Sequence, residues 1–309
     1  MSESTIWKQT GVVIPVYNGG SRWHEAAGAL RAAVPDSTYV VVVDSGSSDG
    51  SDRVALSQGF ELRRIDSTTF NHGRTRQWAV EEFCAGKQFV VLLTQDAVLS
   101  DPESITRLLR SFDDAQVGAT YGRQLPHHNA RPFEAHAALF NYRPQSETRS
   151  LADAQRLGIK AAFFSNSFAA YRITALAQCG GFPAHLILGE DAYMAMRMLT
   201  SGWRVRYCAD ALVRHSHAYS ITAEMQRYFD FGVMHAQIPE LLQQFGHPEG
   251  EGVRFVFSEL RYMLRFAPWL LPQVALRNGA KYVGYRLGRM FAGLPRGVCR
   301  RLSMTKLYW

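Results

Sequence analysis

Asp96 follows the run Phe89-Val90-Val91-Leu92-Leu93 after only two polar residues. Five consecutive apolar residues read as a strand buried on both faces, and the abrupt change to Thr94-Gln95-Asp96 reads as its carboxyl end. At that edge of an open α/β sheet nucleotides and their metals bind. A hard cation carrying a diphosphate needs one or two protein carboxylates, so Asp96 can suffice; the plainer alternative is that it caps the helix suggested by Asp101-Pro102-Glu103. Glu190-Asp191 opens a Met-rich helical stretch from Ala192 to Thr200, where the helix dipole favours ionised carboxylates. Arg74 and Arg76 precede the Phe89 strand and offer bidentate phosphate contacts, although one of the two can be solvated surface. His215 and His217 alternate, so both could face one side of a strand.

The elements that must position these groups follow a repeating pattern. Gly11-Val12-Val13-Ile14-Pro15-Val16 reads as a first strand running into Tyr17-Asn18-Gly19-Gly20, and Trp23 to Val34 as a helix. Tyr39 to Asp44 is a second β-branched run ending in an acid, with Asp49 or Ser51 placed to cap the following helix. Phe60 to Ile65 suggests a third strand, Gly73 to Cys84 a helix, and Arg204-Val205-Arg206-Tyr207 a later strand. Strands separated by helices of this length imply right-handed crossovers, so the fold class is α/β with a mainly parallel sheet. Gln124 to Gly158, rich in His, Pro, Arg and Asn, reads as a long excursion over the surface or the site.

Composition narrows the function classes. A chain of 309 residues, 47% hydrophobic and 20% charged, is a folded globular protein with no repeat or low-complexity segment. Four dispersed cysteines without Cys-x-x-Cys spacing argue against a zinc site or a disulfide framework and suit a reducing cytoplasm. The amino terminus has no apolar run of signal-peptide type. From Val253 to Trp309 eleven Arg or Lys face the single acid Glu259, a balance of +10, so that residues 1–252 carry −3 of the total +7. The basic character belongs to the tail, and a nucleic-acid partner is not expected.

In order, Val13-Ile14-Pro15-Val16-Tyr17-Asn18, Val43-Asp44-Ser45-Gly46-Ser47-Ser48-Asp49-Gly50, Asp96, Gly180-Gly181-Phe182 and Glu190-Asp191 resemble the motifs of glycosyltransferase family 2, inverting transferases of the GT-A fold. The resemblance spans roughly residues 11 to 220. Phe70-Asn71-His72-Gly73-Arg74-Thr75-Arg76, Thr94-Gln95-Asp96-Ala97, Leu188-Gly189-Glu190-Asp191 and His215-Ser216-His217 look most like bacterial rhamnosyltransferases. The resemblance implies a Rossmann-like mainly parallel sheet flanked by helices, and a nucleotide-sugar donor, dTDP-L-rhamnose. It implies transfer to a saccharide or lipid-linked saccharide acceptor in lipopolysaccharide or O-antigen synthesis. It implies nucleotide-sugar contacts from Pro15, Tyr17, Asn18, Asp44, Arg74, Arg76, Gln95 and Asp96, with Arg76 the better match of the two arginines. Tyr17 can stack on a pyrimidine and Asp44 can bond its edge or hold its own turn. Asp191 is the implied general base, with Glu190 holding the acceptor or the helix end. The family pattern often has acids where Thr94-Gln95 stand here, so Asp96 is the lone carboxylate of its motif. That makes a late His attractive in the coordination of Mg²⁺ or Mn²⁺, and His217 is the residue chosen.

In the tail, Val253, Val256, Phe257, Leu260, Met263, Leu264 and Ala267 follow helical spacing, with Arg254, Ser258, Arg261 and Arg265 opposite. No apolar run there is long enough to span a bilayer. The division expected is a catalytic domain over 1–252 and a basic amphipathic tail over 253–309 on an anionic membrane surface, placing the enzyme at the cytoplasmic membrane's inner face. The alternative is a helical subdomain packed on the sheet. Competing readings are a family 2 enzyme with a UDP-sugar donor, a sugar nucleotidylyltransferase, for which Gly19-Gly20-Ser21-Arg22 is a poor signature loop, and a non-catalytic membrane-bound glycan-binding protein, which would not need Asp44, Asp96 and Asp191.

Overall fold

The structure, a computed structural model, describes residues 2–309. Helix α1 (Glu3–Lys8) precedes β1 (Thr10–Val16), α2 (Gly20–Ala33), β2 (Tyr39–Asp44), α3 (Ser51–Ser57), β3 (Glu61–Arg64), α4 (His72–Phe83) and β4 (Phe89–Leu93). There follow β5 (Val98–Leu99), α5 (Ser104–Leu109), β6 (Val117–Leu125), α6 (Pro132–Asn141), β7 (Glu147–Arg149), α7 (Ala154–Leu157), β8 (Phe168–Arg172), α8 (Ile173–Gln178), α9 (Glu190–Thr200) and β9 (Arg204–Arg214). Five helices close the chain: α10 (Ile221–Gln237), α11 (Pro239–Phe245), α12 (Glu249–Phe266), α13 (Leu271–Arg289) and α14 (Arg296–Leu302).

The strands form one sheet in the order β3-β2-β1-β4-β8-β6-β9-β5, with β7 also on β9. Strands β1 to β4 are mutually parallel, β8 runs against β4 and β6, and β9 runs parallel to β6. The apolar runs are continuous because both faces are covered. Val12, Ile14, Val91 and Leu93 enter one core, while Val13, Val41, Val90 and Leu92 enter the other.

Most element boundaries expected from sequence hold within a residue or two. Gly50, in a left-handed conformation, occupies the cap position of α3, where Asp49 or Ser51 was expected. Asp49 instead accepts the N–H groups of Ser51 and Gly20 and so ties the starts of α3 and α2 together. Residues 124–158 are less irregular than expected: they hold α6, β7 and α7. Turn-forming residues there separate short elements rather than marking one loop.

The carboxyl-terminal helices pack on the domain, and position 253 falls inside α12. Helix α13 lies against α10 through glycine: a β-carbon on Gly288 would overlap the Phe229 carbonyl, and one on Gly284 the Met225 carbonyl. Helix α12 rests on α6 through its Phe255, Glu259 and Met263 side. Its Val253, Phe257, Leu260 and Leu264 stripe is exposed, with Arg254, Arg261 and Arg265 beside it. Of the apolar stripe read from sequence, Val253, Val256, Phe257, Leu260 and Leu264 face solvent, while Met263 and Ala267 turn inward with the tail's one acid, Glu259.

Because α10 and α13 touch backbone to backbone, Gly288→Leu should force them apart and cost roughly 1–3 kcal/mol or more. A lowered denaturation midpoint in urea, set beside an unchanged midpoint for a substitution at the open Gly293, checks this.

Candidate active site

The carboxyl ends of β1, β2 and β4 converge. Gln95 closes the gap between β1 and β4: its Oε1 accepts the Tyr17 N–H at 2.7 Å and its Nε2 donates to the Tyr17 carbonyl at 3.1 Å. Asn18, at φ 46°, donates its N–H to Ser47 Oγ and accepts the Ser48 N–H. The loops after β1 and β2 are thereby laced together, and the Tyr17 ring stands out of them, 52% exposed. Pro15 is half-buried within β1. Asp44 is buried, and its carboxylate accepts the N–H groups of Gly46 and Ser47. These are the contacts of its turn-holding reading.

Beyond β4 the chain turns immediately into β5, which pairs antiparallel with the end of β9, Val98 opposite Arg214. A bulge in β9 opposite Gly122–Arg123 redirects that strand end, and the His215 N–H donates to the Leu125 carbonyl. This pairing sets both histidines over Asp96: His215 Nε2 lies 3.4 Å from Oδ1 and His217 Nδ1 lies 3.6 Å from Oδ2. The three donor atoms fall within 4.8 Å of one another. Those separations are long for charge-assisted hydrogen bonds, but two ligands about 2.1 Å from an ion stand roughly 3 Å apart, so the set fits a small divalent cation. His215 Nδ1 is 2.8 Å from Gln124 Oε1, and Gln124 Nε2 donates to Ser165 Oγ at 2.8 Å. The amide holds the proton on Nδ1 and turns the Nε2 lone pair toward Asp96. Burial works against an ionised Asp96; if the imidazoles are protonated instead, the hydrogen bond and charge of His215, with His217, outweigh it and hold the carboxyl well below its usual range. With lone pairs facing Asp96, the same positive charge has to come from a cation.

Gly189, left-handed, starts α9 and places Glu190 and Asp191 in its first turn. Glu190 is buried; its Oε1 accepts from Arg76 Nη1 at 2.5 Å and from Asn166 Nδ2 at 3.0 Å. Arg76, 2% exposed, is committed to this ion pair, a correction to its expected place on a phosphate. Arg74 is exposed and lines a separate cleft of about 470 Å³ with His72 and Lys306. Asn166 also accepts the Tyr171 hydroxyl and donates its backbone N–H to Asp191 Oδ2 at 3.3 Å. Asp191 Oδ1 accepts the Ala192 N–H. Desolvation in this enclosed corner, followed by the charge of Glu190, pushes Asp191 up to about 7, whereas Arg76 outweighs burial at Glu190 and keeps it ionised. One carboxyl is thus poised to take a proton near neutrality.

The strand tips, the Asp96 triad and the Glu190–Asp191 corner are joined through Gln124, Ser165 and Asn166. Sequence reading set His215 on the same side as His217 without choosing it as a candidate ligand, and it missed Gln124, which orients it. It also missed Arg227, which lines the cavity beside the triad with no acid in ion-pair range among the described residues and its guanidinium over Phe231. Asn166 had a faint signal: it stands just before β8, whose start must lie beside the end of β4 if the two run antiparallel.

A family model described as Glycosyltransferase like family 2 matches residues 8–229. The O-antigen chain rhamnosyltransferase RfbN of Salmonella typhimurium is 44% identical, covering 96% of this chain and 95% of that protein. WbaN of Salmonella anatum, of the same description, is 43% identical over the same shares. Among solved structures, the mannosyltransferase PcManGT from Pyrobaculum calidifontis with GDP-Man and Mn²⁺ aligns with a TM-score of 0.57 at 19% identity, covering 97% and 85% of the two chains. The S. aureus TarS 1-349 complex with UDP-GlcNAc aligns at 0.54 and 15%, covering 92% of each. Both have the GT-A fold, which this chain shares.

A carboxyl raised above its unfolded value of about 3.9 favours folding while it stays protonated. Below pH ~4 Asp191 is protonated in both states; between there and pH ~7 only the unfolded chain releases its proton, so stability falls. Asp191→Asn should therefore melt higher than the wild type at pH 8, with the gap closing toward pH 4. An equal gap at both pH values in calorimetry contradicts the assignment.

Proposed function

The chain belongs to glycosyltransferase family 2, and from that membership we propose an inverting rhamnosyltransferase of O-antigen synthesis, moving L-rhamnose from dTDP-L-rhamnose to a saccharide acceptor. The observation that carries the chemistry is the pairing of a carboxyl held near pH 7, Asp191, with an ionised neighbour, Glu190, locked by Arg76. Asp191 takes the acceptor hydroxyl's proton as that oxygen attacks the anomeric carbon from the face opposite the nucleotide. Glu190 and Arg76 hold the start of α9 in place. Tyr17 stacks on the base from its exposed position, while Gln95, Asn18 and Asp44 maintain the loops that frame it. Asp96, His215 and His217 would hold Mg²⁺ or Mn²⁺. When bound, such a cation neutralises the departing diphosphate. With Arg76 occupied, Arg131 and Arg227 line the neighbouring cavity with no acid in ion-pair range among the described residues. The donor sugar rests on the two Salmonella relatives, and the metal rests on the triad and on the Mn²⁺ complex of a fold relative.

Incubation with dTDP-L-rhamnose, UDP-sugars and GDP-mannose in turn, following nucleotide release, tests this reading. Release from dTDP-L-rhamnose that needs Mg²⁺ or Mn²⁺ and is lost in Asp96→Ala is the expected outcome, as is loss of transfer with donor binding kept in Asp191→Asn. Turnover of Asp191→Asn within about tenfold of wild type removes the base assignment, and preference for a UDP-sugar removes the rhamnose one.

We further propose that the α12 side of the molecule rests on an anionic membrane surface, the inner face of the cytoplasmic membrane. Among the described residues no helix is long and apolar enough to cross a membrane. The exposed stripe Val253, Val256, Phe257, Leu260 and Leu264 lies next to Arg254, Arg261 and Arg265, and Trp269 follows, 72% exposed. Apolar side chains flanked by basic ones suit the headgroup boundary, where each arginine contributes roughly 1 kcal/mol. Sedimentation with vesicles containing phosphatidylglycerol should show binding that weakens as salt rises. Phe257→Glu with Leu260→Glu should abolish it; equal binding to neutral vesicles and no effect of the double substitution would rule the surface out.

A further inference from the structure

Residues 185–187 lead into α9 without belonging to a helix or strand, and side chains from three distant places take up their backbone polar groups. Tyr308 Oη donates to the His185 carbonyl at 3.0 Å, and Asn71 Nδ2 donates to the Leu186 carbonyl at 3.1 Å. Gln237 Oε1, at the end of α10, accepts the Ile187 N–H at 3.2 Å, while Gln237 Nε2 donates to Tyr308 Oη at 2.6 Å. Gln237 and Tyr308 thus close a ring of hydrogen bonds with the backbone from His185 to Ile187. Two residues further on, Gly189 makes its left-handed turn against Met234 of α10, where a β-carbon would come within 2.8 Å of Met234 Cγ. Glu190 and Asp191 follow at once. Loops on a protein surface usually leave such groups to water, so three side-chain partners on three consecutive residues mark a segment whose position matters.

We propose that Tyr308 and Gln237 are positioning residues for the transfer step: they hold residues 185–187 so that α9 presents Asp191 to the acceptor hydroxyl. This rests on the transferase reading and deepens it. Asn71 caps α4 by accepting the Arg74 N–H, so a single side chain fixes both the helix that carries Arg76 and the approach to the helix that carries Glu190. That contact secures the α4 side of the segment, and Tyr308 with Gln237 secures the α10 side. Held on one side only, the start of α9 is free to tilt about the Arg76–Glu190 pair, and a reacting group misplaced by about 1 Å can cost on the order of a hundredfold in rate. The amide and the hydroxyl carry no charge, so they fix the backbone without altering the field around the two carboxyls. Tyr308 is itself brought here by contacts that do not involve its hydroxyl. Asp230, buried on α10, accepts the N–H groups of Met304 and Thr305 and the Thr305 hydroxyl through one oxygen, each at 3.1 Å. The Trp309 ring packs with Phe229 of α10 and with Phe291. Removing the Tyr308 hydroxyl therefore leaves residues 303–309 seated and loosens only the ring around 185–187.

Tyr308→Phe removes one oxygen and keeps the ring, and Gln237→Leu removes the amide at nearly the same volume. Assays of the full chain with dTDP-L-rhamnose and a saccharide acceptor each varied, well below the melting midpoints, should show kcat lowered about tenfold or more in each variant while both KM values stay within about twofold. The double variant should lose little beyond either single one, because the two side chains act as a unit. Amide hydrogen exchange of the protein alone gives a second readout: residues 185–191 should exchange at least about tenfold faster in Tyr308→Phe, with β4 unchanged. A kcat within about twofold of wild type in both single variants overturns the proposal, as does a loss confined to KM. If Gln237→Leu melts early, Tyr308→Phe decides; early melting of Tyr308→Phe, with exchange faster across β4 as well, makes the hydroxyl a prop of the whole fold and also overturns it. Should the wild type transfer nothing from any sugar nucleotide, the transferase reading fails, and exchange judges the clamp separately. Faster exchange confined to 185–191 keeps it, and unchanged exchange there removes it.

Discussion

A guanidinium and a carboxylate buried together beneath the start of α9 set the terms for everything around them. Neither Arg76 nor Glu190 could be buried alone: removing one partner of such a pair leaves an uncompensated charge at a cost of roughly 3–5 kcal/mol. The pair is therefore possible only because α4, which carries Arg76, and α9, which carries Glu190, are both anchored on the sheet. Asn166 completes the arrangement by donating to Glu190 with its side chain and to Asp191 with its backbone. The ionised Glu190 then acts on its neighbour. Two adjacent carboxyls in one enclosed corner cannot both ionise easily, and the one without a guanidinium is the one whose proton affinity rises.

The same economy of long-range contacts explains what could be read from the chain beforehand. The strands β1, β2 and β4 were legible because a sheet covered on both faces demands unbroken apolar runs, and Asp96 was legible because it interrupts one. The Glu190–Asp191 pair announced itself by standing at a helix start. Gln124 and Asn166 gave almost no sign, since an amide in a strand end or a loop is common and its purpose depends on partners dozens of residues away. Arg76 was assigned a phosphate because arginine suits phosphate, but sequence does not reveal that an acid on another helix reaches it first. His215 was seen but passed over for its neighbour. The pairing of β5 with the end of β9 is what turns both imidazoles toward Asp96, and a two-residue strand such as Val98–Leu99 is too short to leave a pattern.

The tail shows the limit of periodicity most clearly. Helix α12 has two stripes that any helical wheel displays, one apolar and one basic, and burial of the apolar one is the ordinary expectation. The structure buries only Met263 and Ala267 of the apolar one and leaves its remaining residues and the arginines outside. Its inward side carries Glu259, because Lys281 and His136 are waiting there, and mixed sides of this kind have no periodic signature. Charge pairing across three helices fits this orientation, and most of the apolar stripe is left outside.

The contact between α10 and α13 has an evolutionary corollary. Glycines at 232, 284 and 288 let the two backbones meet closely enough that a side chain at any of the three would collide with the other helix. Such an interface tolerates little independent drift. A family that diversifies its products by exchanging carboxyl-terminal segments could not graft a foreign α13 onto this α10 unless the matching glycines came with it. By that packing the segment that could be exchanged without a clash is the helix pair rather than the tail, and a boundary that keeps both helices intact lies before Ile221, ahead of the residues 253–309 that composition alone marks as separate.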